Sequence, residues 1–461
     1  MKLTQMPLAF AIGVALCLPF AAQGADLTEI YHRALRSDPQ LREAEATRSA
    51  ALESKPQALG ALLPQVTATG GYTHDDVNGE STYLPGSSPY VTASKTNTTG
   101  WAVQLRQTVF RWDQIATLRQ ADARAAQAEV DFRAAQQDVI VRTAAAYFNV
   151  LAARDTLDAA QASGEAIGRQ LEQAEKRFEV GLIAITDVEE ARAAADQAKA
   201  TVIASKRTLA TARDQLREVT GDSFDELARP GDDMPLIAPD PVNEDQWVKA
   251  ALDQNFELSS ARIGADIAHE AVSVARGGHL PTLDLVARRS GSQTAGDTTL
   301  IGSPNATFSA DNNNHDKQVS LQLTVPIYAG GATNSRVRES VYLHRAARER
   351  LERVARATER GTRDAYLGVI SEISRVTALK QSLESSRIAL TATEAGYDVG
   401  TRTAVDVLLA RQRLFDAQTA YARSRYDYVL NVLLLEKQSG TLDESRLARV
   451  NSWLGQTVSV K

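Results

Sequence analysis

The chain has 461 residues, of which 43% are hydrophobic and 23% charged, and its formal net charge is −6 at pH 7. This mild acidity does not provide the basic surface that nucleic-acid binding needs, so nucleic acid is excluded as a partner. A single cysteine, Cys17, excludes a disulfide framework.

The first 24 residues are predicted to be a secretory signal peptide. Lys2 precedes an apolar run, residues 8–22, that is too short to span a membrane and is followed by small residues. Cleavage after Gly24, or alternatively after Ala25, removes Cys17, and Leu16 stands where lipid attachment to that cysteine would need a small residue. No later stretch has the ~18 apolar residues of a spanning helix, so strands must carry the chain if it lies in a membrane.

Residues 26–63 are predicted to form two helices. The first is short and ends at a Ser-Asp-Pro break, where Ser37 or Asp38 can cap the second helix. The second helix is expected to end near Gly60, and residues 243–280 are the corresponding part of the second half of the chain.

Four segments change from a helical period to alternation of apolar and polar residues. They are residues 64–76, 99–110, 281–295 and 317–328. In the second of them, Trp101 and Val103 alternate with more polar neighbours. Polar stretches, residues 77–98 and a segment through residues 312–314, are predicted to be the loops of two strand pairs.

Strands of ~10 to 12 residues with one apolar and one polar face are typical of an outer-membrane barrel. Two surface hairpins on a soluble domain would show the same alternation, but the signal peptide and the long polar loops favour the barrel. Four strands are too few to close a barrel, and unpaired strand edges in lipid are costly. The barrel must therefore be shared between subunits, and three copies would supply twelve strands.

A period of about 3.5 residues, typical of a coiled coil, holds through residues 113–220 and again through 331–437. In the first stretch the residues that repeat with this spacing form a seam, the strip along which helices pack, from Leu118 to Phe178. Arg142 is the one charged residue among them. The predicted helix is roughly 100 Å long. Because the seam is mostly alanine, it suits antiparallel helix pairs lying side by side; a solid bundle or a cytoskeletal rod is the alternative if the strands are disregarded.

Residues 177–192 (RFEVGLIAITDVEEAR) and 396–411 (GYDVGTRTAVDVLLAR) are two copies of one segment, 219 residues apart. In each copy the helical pattern breaks at a glycine, Gly181 or Gly400, and resumes after a Thr or Asp that can cap the next helix. Each copy is predicted to be a helix-turn-helix tip, and we name them the first tip and the second tip. A repeat this long indicates a duplicated half.

The predicted organisation is a duplicated α+β membrane protein. It consists of a signal peptide (1–24), a first repeat (25–221, with strand pair 64–110 and helical hairpin 113–220), a linker (222–243), a second repeat (244–437, with strand pair 281–328 and hairpin 331–437) and a tail (438–461). The proline-rich linker is expected to lie against other elements without joining the core. The tail is expected to be partly disordered.

The sequence shows no pattern typical of catalysis. The six histidines are scattered without metal-ligand spacing, and no phosphate-binding glycine loop, nucleophile elbow or carboxylate pair is present. We therefore expect no catalytic residue, no metal and no cofactor, and the chain is not expected to be an enzyme.

Four segments resemble the TolC-type outer-membrane channel-tunnels. They are residues 165–188 (EAIGRQLEQAEKRFEVGLIAITDV), 397–407 (YDVGTRTAVDV), 110–113 (FRWD) and 325–331 (VPIYAGG). The resemblance extends from Leu27 to about Gln438. It implies a homotrimer in which a twelve-stranded barrel crosses the Gram-negative outer membrane in contact with its lipid, and a twelve-helix barrel spans the periplasm. The linker and the tail would form an equatorial belt.

The resemblance also implies a function and partners. Such a channel is the passive exit duct of tripartite efflux pumps or of type I protein secretion. It is opened at its periplasmic tips by a periplasmic adaptor protein and an inner-membrane transporter of the RND, MFS or ABC type. A periplasmic coiled-coil adaptor and a structural coiled-coil protein are the rival interpretations; an adaptor should carry one hairpin, whereas this chain has two, and a structural protein would not need the strands.

The residues that hold the family's tunnel closed have counterparts here. By resemblance, the gate consists of Tyr397 and Arg402, their partners Thr186 and Asp187, and a further polar pair, Gln170 and Glu394. The family has two acidic rings at the tunnel entrance. Asp406 matches the first ring, but Leu409 stands in place of the second acidic residue, which puts a two-ring cation site in doubt.

Overall fold

The computed structural model describes residues 25–81, 90–231, 233–301 and 305–460. The predicted signal peptide, residues 1–24, therefore lies outside the described residues. The helices are α1 (Leu27–Ser37), α2 (Pro39–Leu52), α3 (Ser54–Gly60), α4 (Trp112–Glu179), α5 (Ile185–Thr220), α6 (Glu244–Gln254), α7 (Phe256–Gly277), α8 (Ala332–Asp398), α9 (Ala404–Gln438) and α10 (Glu444–Asn451). The strands are β1 (Gln65–Ser81), β2 (Tyr90–Phe110), β3 (Glu226–Pro230), β4 (Thr282–Ile301), β5 (Ala306–Thr324) and β6 (Leu454–Ser459).

The chain is an α+β protein in which one order of elements occurs twice. Short helices, a strand pair and a long helical hairpin follow one another in each half. The Asp38 side chain caps α2 by accepting a 3.1 Å bond from the Gln40 N–H, as the Ser-Asp-Pro break predicts. The single helix expected to follow is instead divided into α2 and α3. In a continuous helix the ring of Pro56 would clash with the carbonyl of Leu52, where α2 ends.

The four long strands form one antiparallel sheet in the order β1-β2-β4-β5, which leaves β1 and β5 as unpaired edges in a single chain. The register aligns one apolar row across the sheet: Val66, Leu105, Ala287 and Val319. This row remains open to solvent, since Val66 is 65% and Val319 76% exposed. Near the helices one face of the sheet is therefore apolar, and none of the described residues covers it.

The strands differ from the sequence prediction in length. They have 17 to 21 residues, because most of the polar stretches read as loops continue the strands: Asn97 pairs with His74, and Asn313 with Gln293. Residues 82–89 of the first predicted loop lie outside the described residues. At its other end β5 stops at Thr324, short of the predicted residue 328, because Pro326 has no N–H to donate to a sheet.

The long helices lie where the 3.5-residue period predicts them. Helix α4 has 68 residues, which at 1.5 Å per residue is roughly 100 Å. It pairs with α5, α8 pairs with α9, and α4 also contacts α9, so the two hairpins lie side by side. Nearer the sheet α7 packs between α4 and α8. None of the described helices combines the length and the apolar character of a membrane span.

The largest core lies midway along α4, where the linker and the tail wrap the hairpins. Tyr147 and Leu227 are fully buried, and the Tyr147 hydroxyl donates to the carbonyl of Ala228 in β3. Strand β3 pairs with β6 of the tail. Two expectations are therefore wrong: the linker does contribute to the core, and residues 444–459 of the tail are ordered because β6 completes the sheet that β3 begins.

Candidate functional site

The two tips have closely similar backbone turns. Gly181 and Gly400 adopt φ angles of 75° and 80°, in the left-handed region that favours glycine. In the first tip the N–H of Leu182 donates to the carbonyl of Arg177 at 2.9 Å, and in the second the N–H of Thr401 donates to Gly396 at 2.8 Å. These bonds close the C-terminal ends of α4 and α8 and reverse the chain.

The helices that leave the two tips begin differently. Thr403 and Asp406 form a reciprocal capping box at the start of α9: the N–H and hydroxyl of Thr403 both donate to the Asp406 carboxylate at 2.9 Å. The equivalent N-cap position of α5 is Ala184, which has no side-chain cap. The predicted Thr or Asp cap is therefore correct in the second tip and wrong in the first, where Thr186 and Asp187 lie inside the first helical turn.

Each tip is held together by its own apolar cluster and its own ion pair. Ala174, Val188 and Ala191 are buried in the first tip, and an equivalent cluster lies in the second. Glu175 pairs with Arg192 at 3.2 Å. Each tip is therefore a separate small packing unit at the end of a long hairpin.

The second tip has the matching ion pair, between Glu394 and Arg411. Sequence reasoning missed both pairs, although a Glu and an Arg 17 residues apart in each copy was the available signal. Glu394 is thus ion-paired within its own hairpin. The structure does not join Glu394 to Gln170, the partner implied by the resemblance.

Two contacts connect the first hairpin to the second tip within one chain. The guanidinium of Arg177 lies 5.0 Å from the ring centre of Tyr397, a cation–π contact that the sequence did not predict. Gln170, 7% exposed, donates its amide to the carbonyl of Ala404 at 3.3 Å. The amide oxygen of Gln170 is buried and has no partner among the described residues. At their tip ends the neighbouring hairpins are thus joined, among the described residues, by weak polar contacts.

The remaining residues implied by the resemblance lie at the same end of the molecule. Thr186 and Arg402 are exposed, and Asp187 and Tyr397 are half-buried. Within the described part of one chain, no side-chain hydrogen bond or ion pair joins Arg402 or the Tyr397 hydroxyl to Thr186 or Asp187. Asp187, which lacks the capping partner that Asp406 has, keeps its carboxylate available for another donor.

Asp406 has a distinct electrostatic environment. The hydrogen bonds from the backbone and side chain of Thr403, with a smaller contribution from the charge of Arg402, lower the pKa of the Asp406 carboxyl below its usual value. Leu409, one turn further along α9, is 52% exposed. The start of α9 thus presents an ionised carboxylate beside an apolar side chain.

The described ranges contain no group of three or more His, Cys, Asp or Glu side chains that could hold a metal ion. What the fold does present is a sheet with an apolar outer face, continued by two helical hairpins of roughly 100 Å that end in weakly joined tips. This combination is typical of a protein that is anchored in a membrane by its sheet and extends from it through long helices.

Comparison with known proteins identifies the family. The model of the outer membrane efflux protein family matches residues 30–222 and 247–441. The chain is 37% identical over 443 residues to outer membrane protein TolC of Escherichia coli (strain K12), which covers 95% of this chain and 87% of that protein. It is 27% identical over 428 residues to the alkaline protease secretion protein AprF of Pseudomonas aeruginosa, covering 92% and 86%.

The fold agrees with this. The crystal structure of the Campylobacter jejuni CmeC outer membrane channel superposes with a TM-score of 0.72 at 18% identity, over 93% of this chain and 89% of that one. The chain therefore belongs to the outer membrane efflux protein family. It is a Gram-negative outer-membrane channel for efflux or type I secretion, and the resemblance found in the sequence is confirmed.

Proposed function

We propose that three copies of the chain close a twelve-stranded barrel in the outer membrane and a twelve-helix tunnel across the periplasm, forming a passive exit duct. The unpaired edges of the four-stranded sheet carry this proposal. In lipid an open edge leaves backbone groups unsatisfied at several kcal/mol each, and pairing β5 of one copy with β1 of the next removes both edges.

The trimer is tested by cell fractionation and by sedimentation in detergent. We expect an SDS-resistant trimer in the outer-membrane fraction, and a stable monomer in detergent or membrane would refute the architecture. Leu321→Arg places a charge in the apolar face of β5, which costs about 2 to 4 kcal/mol near the middle of a bilayer. We expect this variant to lose most of its trimer on gels run without heating.

Gln322→Arg is the matched control, because the next residue of the same strand points to the opposite face. Leu321 is 64% exposed in the single chain and aligns with Leu285 of β4, whereas Gln322 aligns with Asp284. The control should retain the parent amount of trimer. Equal loss in both variants would mean that the apolar face does not contact lipid.

The tips are the proposed docking site for a periplasmic adaptor and an inner-membrane transporter. Val180, Leu182 and Val399 project from the two turns and are 69%, 72% and 75% exposed. Apolar side chains at the end of a long polar hairpin are available to a partner that covers them. Cross-linking from these turns in cells, followed by identification of the captured transporter, would establish whether the duct serves efflux or protein secretion.

We further propose that the tips form a gate that is closed by bonds between neighbouring hairpins. Arg402 offers a planar donor fork and Tyr397 a hydroxyl, while Asp187 offers a carboxylate that its own helix does not use. Because one chain does not join these groups, the bonds would form between subunits of the trimer. Thr186, Gln170 and Glu394 flank the same contact.

Asp406 is proposed to form a threefold ring of negative charge at the entrance, giving mild selectivity for cations. Asp406→Asn should weaken that selectivity in planar bilayers while keeping an oxygen that Thr403 can bind. Because Leu409 replaces the second ring, block by multivalent cations should already be weak in the parent. Tight trivalent block that Asp406→Asn leaves unchanged would place the constriction elsewhere.

The pH dependence of the cation selectivity tests whether the capping box sets the charge of Asp406. Since the folded-state pKa of Asp406 is lowered, its charge persists as the pH falls below the usual Asp range and is lost only at the lower folded pKa. Thr403→Ala removes the hydroxyl that donates to Asp406, which should raise the pKa of that carboxyl. The cation selectivity should therefore disappear at a higher pH than in the parent. Identical pH profiles would show that the capping box does not set this charge.

A further inference from the structure

A pair of basic residues lies side by side on the apolar face of the sheet. Arg289 of β4 and Lys317 of β5 are direct partners in the register, and both are exposed. Neither has an ion-pair or hydrogen-bond partner among the described residues. Like charges directly opposite each other on neighbouring strands are destabilising unless an anion compensates them.

The next row away from the helices adds two more nitrogen donors. Trp101, Gly291 and His315 are aligned across β2, β4 and β5. A Cβ at Gly291 would lie 2.6 Å from the indole nitrogen of Trp101 and 3.0 Å from Nδ1 of His315, so these side chains converge over the glycine. Neither ring nitrogen has a hydrogen-bond partner within the described ranges.

The position of these two rows along the sheet is informative. Towards the helices the same face is apolar, with Ala287 beside Val319 and Leu285 beside Leu321. Away from the helices it is polar, beginning with Gln293 beside Asn313. The basic pair thus lies at the outer boundary of the apolar band. If the sheet crosses the membrane as proposed, this is the level of the lipid headgroups.

Acidic residues are distant on this face. The first one along the described strands, Asp311, lies three rows beyond Lys317, on the order of 20 Å away, and it accepts a hydrogen bond from Gln293 at 3.4 Å. Among the described residues no carboxylate is therefore placed to neutralise the pair. The uncompensated charge calls for an anion from outside the protein.

We propose that Arg289 and Lys317, with Trp101 and His315, bind the phosphate group of an outer-leaflet lipid whose acyl chains lie along the Leu285–Leu321 row. This rests on the proposed crossing of the membrane by the sheet. Phosphate accepts several charge-assisted bonds at once, and indole and imidazole N–H groups can complete its coordination. A phosphate monoester on a glycolipid, doubly charged, fits two cations better than a singly charged phosphodiester.

The test measures lipid binding by native mass spectrometry of the protein in phosphatidylcholine nanodiscs. Lipid A, which carries phosphate monoesters, should bind more tightly than phosphatidylglycerol, and inorganic phosphate at equal concentration should not displace it. Each basic residue at a membrane surface contributes roughly a factor of five, so Arg289→Gln with Lys317→Gln should weaken lipid A binding by about twenty-five-fold.

Arg288→Gln is the matched control, because Arg288 is exposed on the opposite face of the same strand and its loss should change binding less than twofold. Equal lipid A binding by the double variant and the parent, or equal loss in the control, would overturn the site. Displacement by inorganic phosphate alone would overturn its assignment to a lipid. The same spectra show whether the protein forms trimers and inserts into the discs, which tests the proposed function separately. A parent protein that does not insert would refute both the proposed barrel and the lipid site.

Discussion

Replacing Tyr397 by Phe and Arg402 by Ser in one chain should raise the single-channel conductance several-fold in planar bilayers, with trimer assembly unchanged. The substitutions remove a phenol bond and a charge-assisted bond from each of the proposed subunit contacts. A closed state held by only a few kcal/mol of such bonds shifts towards the open state when they are lost. The sheet, at the other end of the hairpins, is left intact.

The structure explains why this variant is specific. Phe at position 397 keeps the ring on which the Arg177 guanidinium lies at 5.0 Å, so the contact between tips of one chain survives. Asp187→Asn should also raise the conductance, because Asp187 is the acceptor that its own helix leaves unused. Asp406 differs, since its carboxylate is already bound by Thr403. We therefore expect the two carboxylates at equivalent positions to have separate roles.

Arg413→Ser on α9 is the matched control for the gate. Arg413 is exposed and lies three turns beyond Arg402, and it has no ion pair in the part of the chain that the structure describes. Its variant should conduct like the parent. If the double variant at the tip also conducts like the parent, Tyr397 and Arg402 are ordinary surface groups and the proposed gate is wrong.

The long helices and the tips were predictable from the sequence because their signals are local. A 3.5-residue period over more than sixty residues leaves few alternative structures. Glycine at positions 181 and 400 marks the turns, because it readily adopts the positive φ angles found there. The four strands were equally visible as alternation near the helices. Their outer halves were not, because Asn- and Thr-rich segments resemble loops until their partners in the sheet are known.

The errors have two causes, which are long-range pairing and a local difference between the two tips. Strand β6 is ordered by β3, more than 220 residues earlier in the chain, and no periodic signal marks either strand. The two tips look alike in sequence, yet Ala184 in place of Thr403 removes one capping box. Gln170 and Glu394 were matched by resemblance to one polar pair. Within one chain Gln170 donates to Ala404 and Glu394 accepts from Arg411, and their pairing between subunits stays a prediction.

Arg142 was the one residue of the α4 seam that the periodicity left unexplained. The structure shows its guanidinium bound to the side chains of Asp38 and Gln40. Asp38 is 2% exposed and also caps α2, so a buried carboxylate at the junction of α1 and α2 depends on this arginine. An apolar seam residue at position 142 would leave that carboxylate without its countercharge.

Arg142→Leu should therefore destabilise the protein even though it restores an apolar residue to the seam. Removing one partner of a buried ion pair costs about 3 to 5 kcal/mol, and the partial exposure of Arg142 places the expected loss near the lower figure. The measurement is the denaturation temperature of the detergent-solubilised protein. Arg133→Leu on the same helix is the matched control, because its 3.9 Å contact with Glu129 is an exposed surface pair of little energetic value.

Adding Asp38→Asn to Arg142→Leu should recover much of the loss, because asparagine is neutral and can still accept the bond from the Gln40 N–H. This rescue separates a charge effect from a packing effect: a leucine that simply fitted badly against α2 would remain destabilising in the double variant. Equal denaturation temperatures for Arg142→Leu and Arg133→Leu would show that Asp38 does not need a countercharge. The arginine in the seam would then have no electrostatic role.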